Sequence, residues 1–276
     1  MAITASDVNK LRQQTGAGMM DCKNALVESN GDFEAAIDIL RKKGQKIAAK
    51  RGDNDAKEGL VLAQTTTDGK SGVILSLNCE TDFVAKNEGY ITFVQSLIDI
   101  ALSHKPDSAE ALKALRYDDR LTVDEKIIEQ IGVIGEKLEL TNYAVVNASK
   151  VVAYNHPGNQ LATLVGFSAD GSEMNEVGRQ VAMQVAAMNP IAIDKSGVDQ
   201  NTIDRELEIG KELAIQEGKP AEMADKISQG RLNKFFKEST LLSQQFIRDD
   251  KLTVEQFLEN TSTGLTVTEF KRFSLS

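Results

Sequence analysis

The run Asn78-Cys79-Glu80-Thr81-Asp82-Phe83-Val84-Ala85-Lys86 sets an acid beside an aromatic where a β-rich stretch gives way to an apolar-periodic helix. A side-chain oxygen of Thr81 or Asp82 can accept from the orphan N–H groups of a first helical turn, with Phe83 beginning the helix. The aromatic has two readings. Phe83 can tuck under the sheet, or it can project as an apolar knob beside a carboxylate, suited to wedging into another protein. Other residues capable of chemistry are few. Of the two histidines, His104 stands by Lys105-Pro106 at a helix end, and His156 lies in a hairpin tip before Pro157-Gly158, where contact residues concentrate. Cys22 and Cys79 lie too far apart for a local metal-ligand pair, and two cysteines in 276 residues fit reduced thiols.

Phosphate and dinucleotide cradles are missing too. Gly69-Lys70-Ser71 lacks the earlier glycine of a phosphate loop and lies between strands, while Gly16-Ala17-Gly18 lacks a final glycine and follows a helix. The acid pairs Asp118-Asp119 and Asp249-Asp250 read as solvated turns. No catalytic residue, metal site or cofactor is therefore expected. An interaction protein, gripping a large partner at separated points, fits better than the alternative of an enzyme with a cryptic small-molecule site in its core.

The net charge of −9 argues against nucleic acid as a partner, since phosphate binding needs a concentrated basic surface. The basic stretch from Arg41 to Arg51 reads as a solvated helix end favoured by the macrodipole. No apolar run approaches the roughly 20 residues that cross a bilayer, and Met1-Ala2-Ile3-Thr4 lacks the pattern of a secretory signal, so a cytoplasmic location is expected.

The elements that must carry these residues divide the chain into five segments with an α+β character. Residues 1–52 read as three short helices and the start of a linker. Thr4 and Asp7 resemble a capping box, Met19, Cys22, Ala25 and Leu26 form the inner stripe of the second helix, and Asp32 caps a third that ends before Gly44. The linker spans about 45–58. Residues 53–148 read as a first core subdomain. Strands at 60–67 and 73–78 flank an Asp-Gly turn, and a helix follows with Phe83, Tyr90, Val94, Leu97, Ile98 and Ala101 on its inner side. Two further helices and a strand near 138–148 complete it. Residues 149–198 repeat the hairpin-plus-helix grammar as the first part of a second subdomain. Residues 199–237 read as an antiparallel hairpin of helices, with Ile203, Leu207, Gly210 and Ala214 facing Met223, Ile227, Arg231 and Phe235 across a narrow coiled-coil stripe. Residues 238–276 return to the second subdomain through a short helix and a last strand.

In that order the pieces resemble the bacterial translation elongation factor Ts family, over nearly the whole chain. The most specific marks are the run from Leu11 to Leu26, with Arg12, Gly16-Ala17-Gly18 and Met19-Met20-Asp21-Cys22, and the run from Asn78 to Lys86. Tyr154 to Gly158, Ala182 to Ala187 before Asn189-Pro190, and Gly218-Lys219-Pro220 support them. The resemblance implies an N-terminal ubiquitin-associated-like domain, a two-subdomain core and an inserted coiled coil. It implies a guanine-nucleotide exchange factor, not an enzyme, whose partner is elongation factor Tu in GDP-bound and nucleotide-free forms, with neither nucleic acid nor membrane bound. Arg12, Met19, Met20 and His156 would contact the partner, and Thr81, Asp82, Phe83 and Val84 would dislodge the partner's magnesium. Asp82 is expected to act mainly as the cap that aims Phe83. The proline of the His156 loop departs from the best-known members, and the extra C-terminal module of some members is not expected. The hairpin's stripe suits either dimerisation or contact with the partner, and the complex can be one-to-one or a dimer of dimers.

Overall fold

A computed structural model describes residues 3–275. Helices α1 (Ala5–Thr15), α2 (Met19–Glu28) and α3 (Phe33–Arg51) close around Leu11, Cys22, Leu26, Ala36 and Ile37. The expected capping box forms, with the Asp7 N–H donating to Thr4 Oγ1 at 3.2 Å and the Thr4 N–H to the Asp7 carboxylate at 3.0 Å. Asp32 Oδ1 accepts from the Ala35 N–H at 3.1 Å and starts α3. Met19 is not on the inner stripe of α2; it is exposed.

The third helix does not stop at Gly44. It runs to Arg51, so residues 45–51 are helix where a linker was expected. Gly44 lies at a helix crossing: a Cβ added to Gly132 would sit 2.7 Å from the Gly44 Cα. The absent side chains let two helix axes approach closely, and beyond the crossing Ile47 and Ala48 pack into the central core. That burial outweighs the roughly 1 kcal/mol helix penalty of a glycine.

Strands β1 (Glu58–Thr65) and β2 (Ser71–Cys79) form a hairpin, followed by α4 (Asp82–Ala85), α5 (Glu88–His104), α6 (Ala109–Ala114), α7 (Val123–Ile134) and β3 (Glu139–Asn147). The sheet order is β1-β2-β3, all antiparallel. Then come β4 (Lys150–Asn155), β5 (Leu161–Phe167) and α8 (Met174–Met188), and after them α9 (Gln200–Gln216), α10 (Ala221–Ser239), β6 (Gln245–Phe246), β7 (Asp249–Thr253), α11 (Val254–Thr261) and β8 (Val267–Ser274). The last strand pairs with β5, completing a second antiparallel sheet of order β4-β5-β8. Mixed helices and small antiparallel sheets make the chain α+β.

The sheets face each other through Ile74, Val146, Val151, Ala162 and Leu164. One outer face is covered by α5 and α7, the other by α8 and α11. Strand β2 is buried at every residue because it is central in its sheet and covered on both faces, which is why Val73-Ile74-Leu75 is a continuous apolar run. In the helical hairpin, the inner positions of α10 are Ala224, Ser228 and Leu232, one residue on from the expected stripe. Gly210 of α9 sets that register: its missing Cβ would lie 3.0 Å from Ser228 Cβ, so two small residues meet at the crossing. Among the described residues no helix is long and apolar enough to cross a membrane.

Candidate functional site

The corner after β2 is built differently from the expectation of one long helix. Helix α4 is a single turn, and a fresh N-cap at Asn87, whose Oδ1 accepts from the Gly89 N–H at 2.9 Å, starts α5. Phe83 is therefore not on the inner face of the helix that carries Tyr90. It stands 84% exposed, the most solvent-facing of the large apolar side chains among the described residues. Its neighbours fix the turn from beneath: Ala85 is buried, Val84 packs on the core, and the buried Tyr90 hydroxyl donates to the Leu77 carbonyl at 2.6 Å.

The cap of this turn is Thr81, not Asp82. Thr81 Oγ1 accepts from the Val84 N–H at 3.4 Å, whereas Asp82 is the first helical residue and pairs with Lys86 one turn on, Nζ to Oδ2 at 2.7 Å. Thr81 has the extended backbone a cap needs, which leaves Asp82 inside the helix at a spacing suited to an i,i+4 ion pair. The Lys86 hydrogen bond and charge hold the Asp82 carboxyl below its ordinary value.

Two further acids anchor the corner. Glu80 accepts from Arg51 Nη1 at 2.8 and 2.9 Å, Asn54 Nδ2 at 3.0 Å and the Lys137 N–H at 2.6 Å. Burial raises its carboxyl, but these donors outweigh that and hold it below the usual glutamate value. Glu136 accepts from the Thr81 N–H at 3.0 Å and its hydroxyl at 2.7 Å. Sequence reasoning missed both. Glu80 adjoins the motif, but Glu136 reaches it from the loop before β3, 55 residues along the chain, a contact that leaves no local pattern. Cys79, buried below, donates to the Thr81 carbonyl at 3.2 Å; burial first of all pushes its thiol up to about 11, so it stays protonated and packs.

Beside the corner stands the loop between α1 and α2. Gly16 ends α1 with φ near 70°, its N–H donating to the Arg12 carbonyl at 2.8 Å. Helix α2 then starts with Met19 and Met20 turned to solvent, 55% and 64% exposed. Arg12 is exposed on the last turn of α1. Gly16, Phe83, Val84, Gln130 and Val133 border one groove of about 570 Å³, so the N-terminal loop and the corner share a surface.

His156 sits apart, on the tip joining β4 to β5. The exposed ring lies edge-on to Tyr154, whose hydroxyl is 2.9 Å from His156 Nδ1. The tip is sewn to the edge of β1: Asn155 Oδ1 accepts from the Ala63 N–H at 2.8 Å, its Nδ2 donates to the Ala63 carbonyl at 2.9 Å, and the Val61 N–H donates to the Asn159 carbonyl at 2.7 Å. From Ala63 to Val61 the tip advances along β1 toward Glu58, which pairs with Cys79 at the corner. The side chain of Asn155 thus takes the place of a strand partner, a role its sequence neighbours do not reveal. Among the described residues no three His, Cys, Asp or Glu side chains come together as a metal site.

A family model described as Elongation factor TS matches residues 80–276, more than half of the chain. The elongation factor Ts of Amoebophilus asiaticus is 52% identical over 273 residues, covering 99% of this chain and 98% of that protein. Those of Porphyromonas gingivalis, 49% identical over 276 residues, and Christiangramia forsetii, 50% identical over 273 residues, cover 99% or more of this chain and at least 98% of their own.

Proposed function

Because the chain belongs to the elongation factor Ts family, we propose that it binds elongation factor Tu carrying GDP and speeds GDP release by disturbing the partner's magnesium and nucleotide site, so that GTP can enter. The observation that carries this reading is Phe83, 84% exposed on a one-turn helix whose base is buried. Exposing a phenyl ring forgoes roughly 1.5–3 kcal/mol of burial, and nothing in the fold of this chain requires it to face water. A ring held outward on a fixed base is suited to entering another protein's surface. Thr81 shapes the turn, Val84 seats it, and Asp82 with Lys86 gives its rim a polar edge.

GDP and magnesium stabilise each other in a GTPase, so a wedge that shifts the metal's supporting shell weakens the metal and then the nucleotide. Linkage makes this reciprocal: a factor that loosens GDP is itself loosened by nucleotide. No covalent step is needed, and this chain acts by binding energy alone. Met19, Met20 and Arg12 would dock beside the corner, two flexible thioethers supplying adaptable apolar contact and a guanidinium pairing with acids. His156 would add a separate contact on the same edge of the first sheet.

In this reading residues 1–52 correspond to a ubiquitin-associated-like domain, 53–148 to the first core subdomain, and 149–198 with 238–276 to the second. Residues 199–237 correspond to a coiled-coil arm that reaches the partner or a second copy, and the protein works in the cytoplasm. Purified partner loaded with fluorescent GDP tests the function. Substoichiometric protein should accelerate nucleotide release in proportion to its concentration; release at the spontaneous rate at every concentration would sink the proposal.

A further inference from the structure

Two glutamates cross between the corner and the loop after α7. Glu80 holds the Lys137 N–H, while Glu136, beside Lys137, holds the Thr81 N–H and hydroxyl, beside Glu80. Each carboxylate grips the neighbour of the other. Arg51, in the last turn of α3, then binds both oxygens of Glu80.

The consequence lies in the Thr81 hydroxyl. It has one proton, and that proton goes to Glu136 at 2.7 Å, which turns the oxygen's lone pairs toward the Val84 N–H. A four-residue helix has no stability of its own, because helix nucleation is unfavourable without tertiary support. Phe83 is too exposed for packing to fix it, so its direction is inherited from the backbone of the turn. That backbone hangs on Thr81.

We propose that Glu136, with Glu80 as its crossed partner, is a positioning residue for exchange: it fixes the turn that aims Phe83 and, through Arg51, fixes it relative to Met19 and Met20. The inference rests on the reading of Phe83 as the wedge. Removing the Glu136 carboxylate frees the Thr81 hydroxyl and leaves its N–H without an acceptor. The wedge then samples several directions and only some are productive. Glutamine keeps one acceptor oxygen and preserves much of the effect.

Release of fluorescent GDP from the partner tests this with the full chain, comparing Glu136→Ala and Glu136→Gln alone and in a Phe83→Ala background. Glu136→Ala should slow release about tenfold, and Glu136→Gln should stay within about threefold of the parent. In the Phe83→Ala background the further loss from Glu136→Ala should be under about twofold, because a residue acting through another has nothing left to position. Amide hydrogen exchange should quicken at 81–85 and not in β2. Undiminished release by Glu136→Ala, or a full tenfold loss in both backgrounds, would overturn the proposal. If Glu136→Ala does not fold, Thr81→Val, which deletes only the hydroxyl, should cost about threefold, and no loss would count equally against it. A parent chain that fails to accelerate release sinks the exchange reading instead, and the crossed glutamates are then judged on amide protection at 81–85 alone.

Discussion

The corner after β2 and the helical hairpin α9–α10 both carry exposed apolar side chains, and the two are held in opposite ways. At the corner one ring stands on a turn pinned by Thr81, Glu136 and the buried Ala85 and Tyr90. On the hairpin, Ile209, Leu213, Ile215 and Met223 are spread along two helices that pack mainly on each other, through Gly210, Ala214, Ala224 and Ser228. The hairpin meets the core at its base, where the buried Gln244 amide donates to the Glu238 carbonyl at 2.9 Å. A side chain's exposure thus says little until its base is known. A pinned single ring can deliver force to one point, whereas a dispersed set on a long arm can only add area.

The largest effect that follows is at the ring itself. Phe83→Ala should slow GDP release by about 30-fold or more while shifting the thermal midpoint by less than about 1 °C, since an exposed ring contributes little to the fold. Binding to nucleotide-free partner, measured by titration, should weaken less than release slows. Equal losses in both would make the corner an ordinary contact, no different in kind from the arm.

Next comes the joint that carries the N-terminal loop to the corner. Gly132→Ala places a methyl 2.7 Å from the Gly44 Cα and must push α3 away from α7. Overpacking of this kind costs about 1–3 kcal/mol, against about 1 kcal/mol that alanine gains over glycine in a helix, so the net should be a loss read in urea denaturation. A more stable variant would mean that the helices part freely. The same joint bears on truncation. Cutting at residue 52 removes Ile47 and Ala48 from the central core, so the remainder should be less stable than the full chain, with a lower thermal midpoint.

These elements differ in how far the sequence revealed them. Strands and caps were legible because short apolar runs, Thr-x-x-Asp and Asp-Gly are local signals; the ladder of β4 with β5 and the return of β8 agree with them. The corner's motif was legible, but its mechanics were not. Glycine at 44 resembles a stop signal, and only its partner Gly132 shows it to be a crossing point. Asp82 and Thr81 are equally good caps on paper, and the choice was made by the extended backbone at 81 and by Glu136, far along the chain. His156 was legible as a tip residue, while Asn155, which stitches that tip to β1, was not. What escaped was in each case a contact between residues distant in sequence.

On the arm the effect should be small. Leu213→Ser removes one of several exposed apolar groups and should change GDP release by less than about twofold, with thermal stability unchanged. A loss approaching that of Phe83→Ala would show that the arm, too, has a focal point, and the contrast with the corner would fail.

The smallest effect sharpens the role of the acid beside Phe83. Lys86 depresses the carboxyl of Asp82 from its ordinary 3.8, so the folded state binds a proton there less readily than the unfolded chain does. The stabilisation from the pair is then fully present above pH 3.8 and is lost as pH falls through the lowered value. Both side chains face solvent, so salt screens the pair and it adds little to stability. Lys86→Met should move the Asp82 titration, followed by NMR, upward toward the ordinary value, and high salt should do part of the same. GDP release at neutral pH should stay within about twofold, because Thr81 and the crossed glutamates hold the turn without Lys86. Asp82→Asn should behave alike. If it instead slowed release as severely as Phe83→Ala with the turn's amides still protected, the carboxylate would be acting on the partner itself, and the corner would carry two working groups where its geometry gives reason for one.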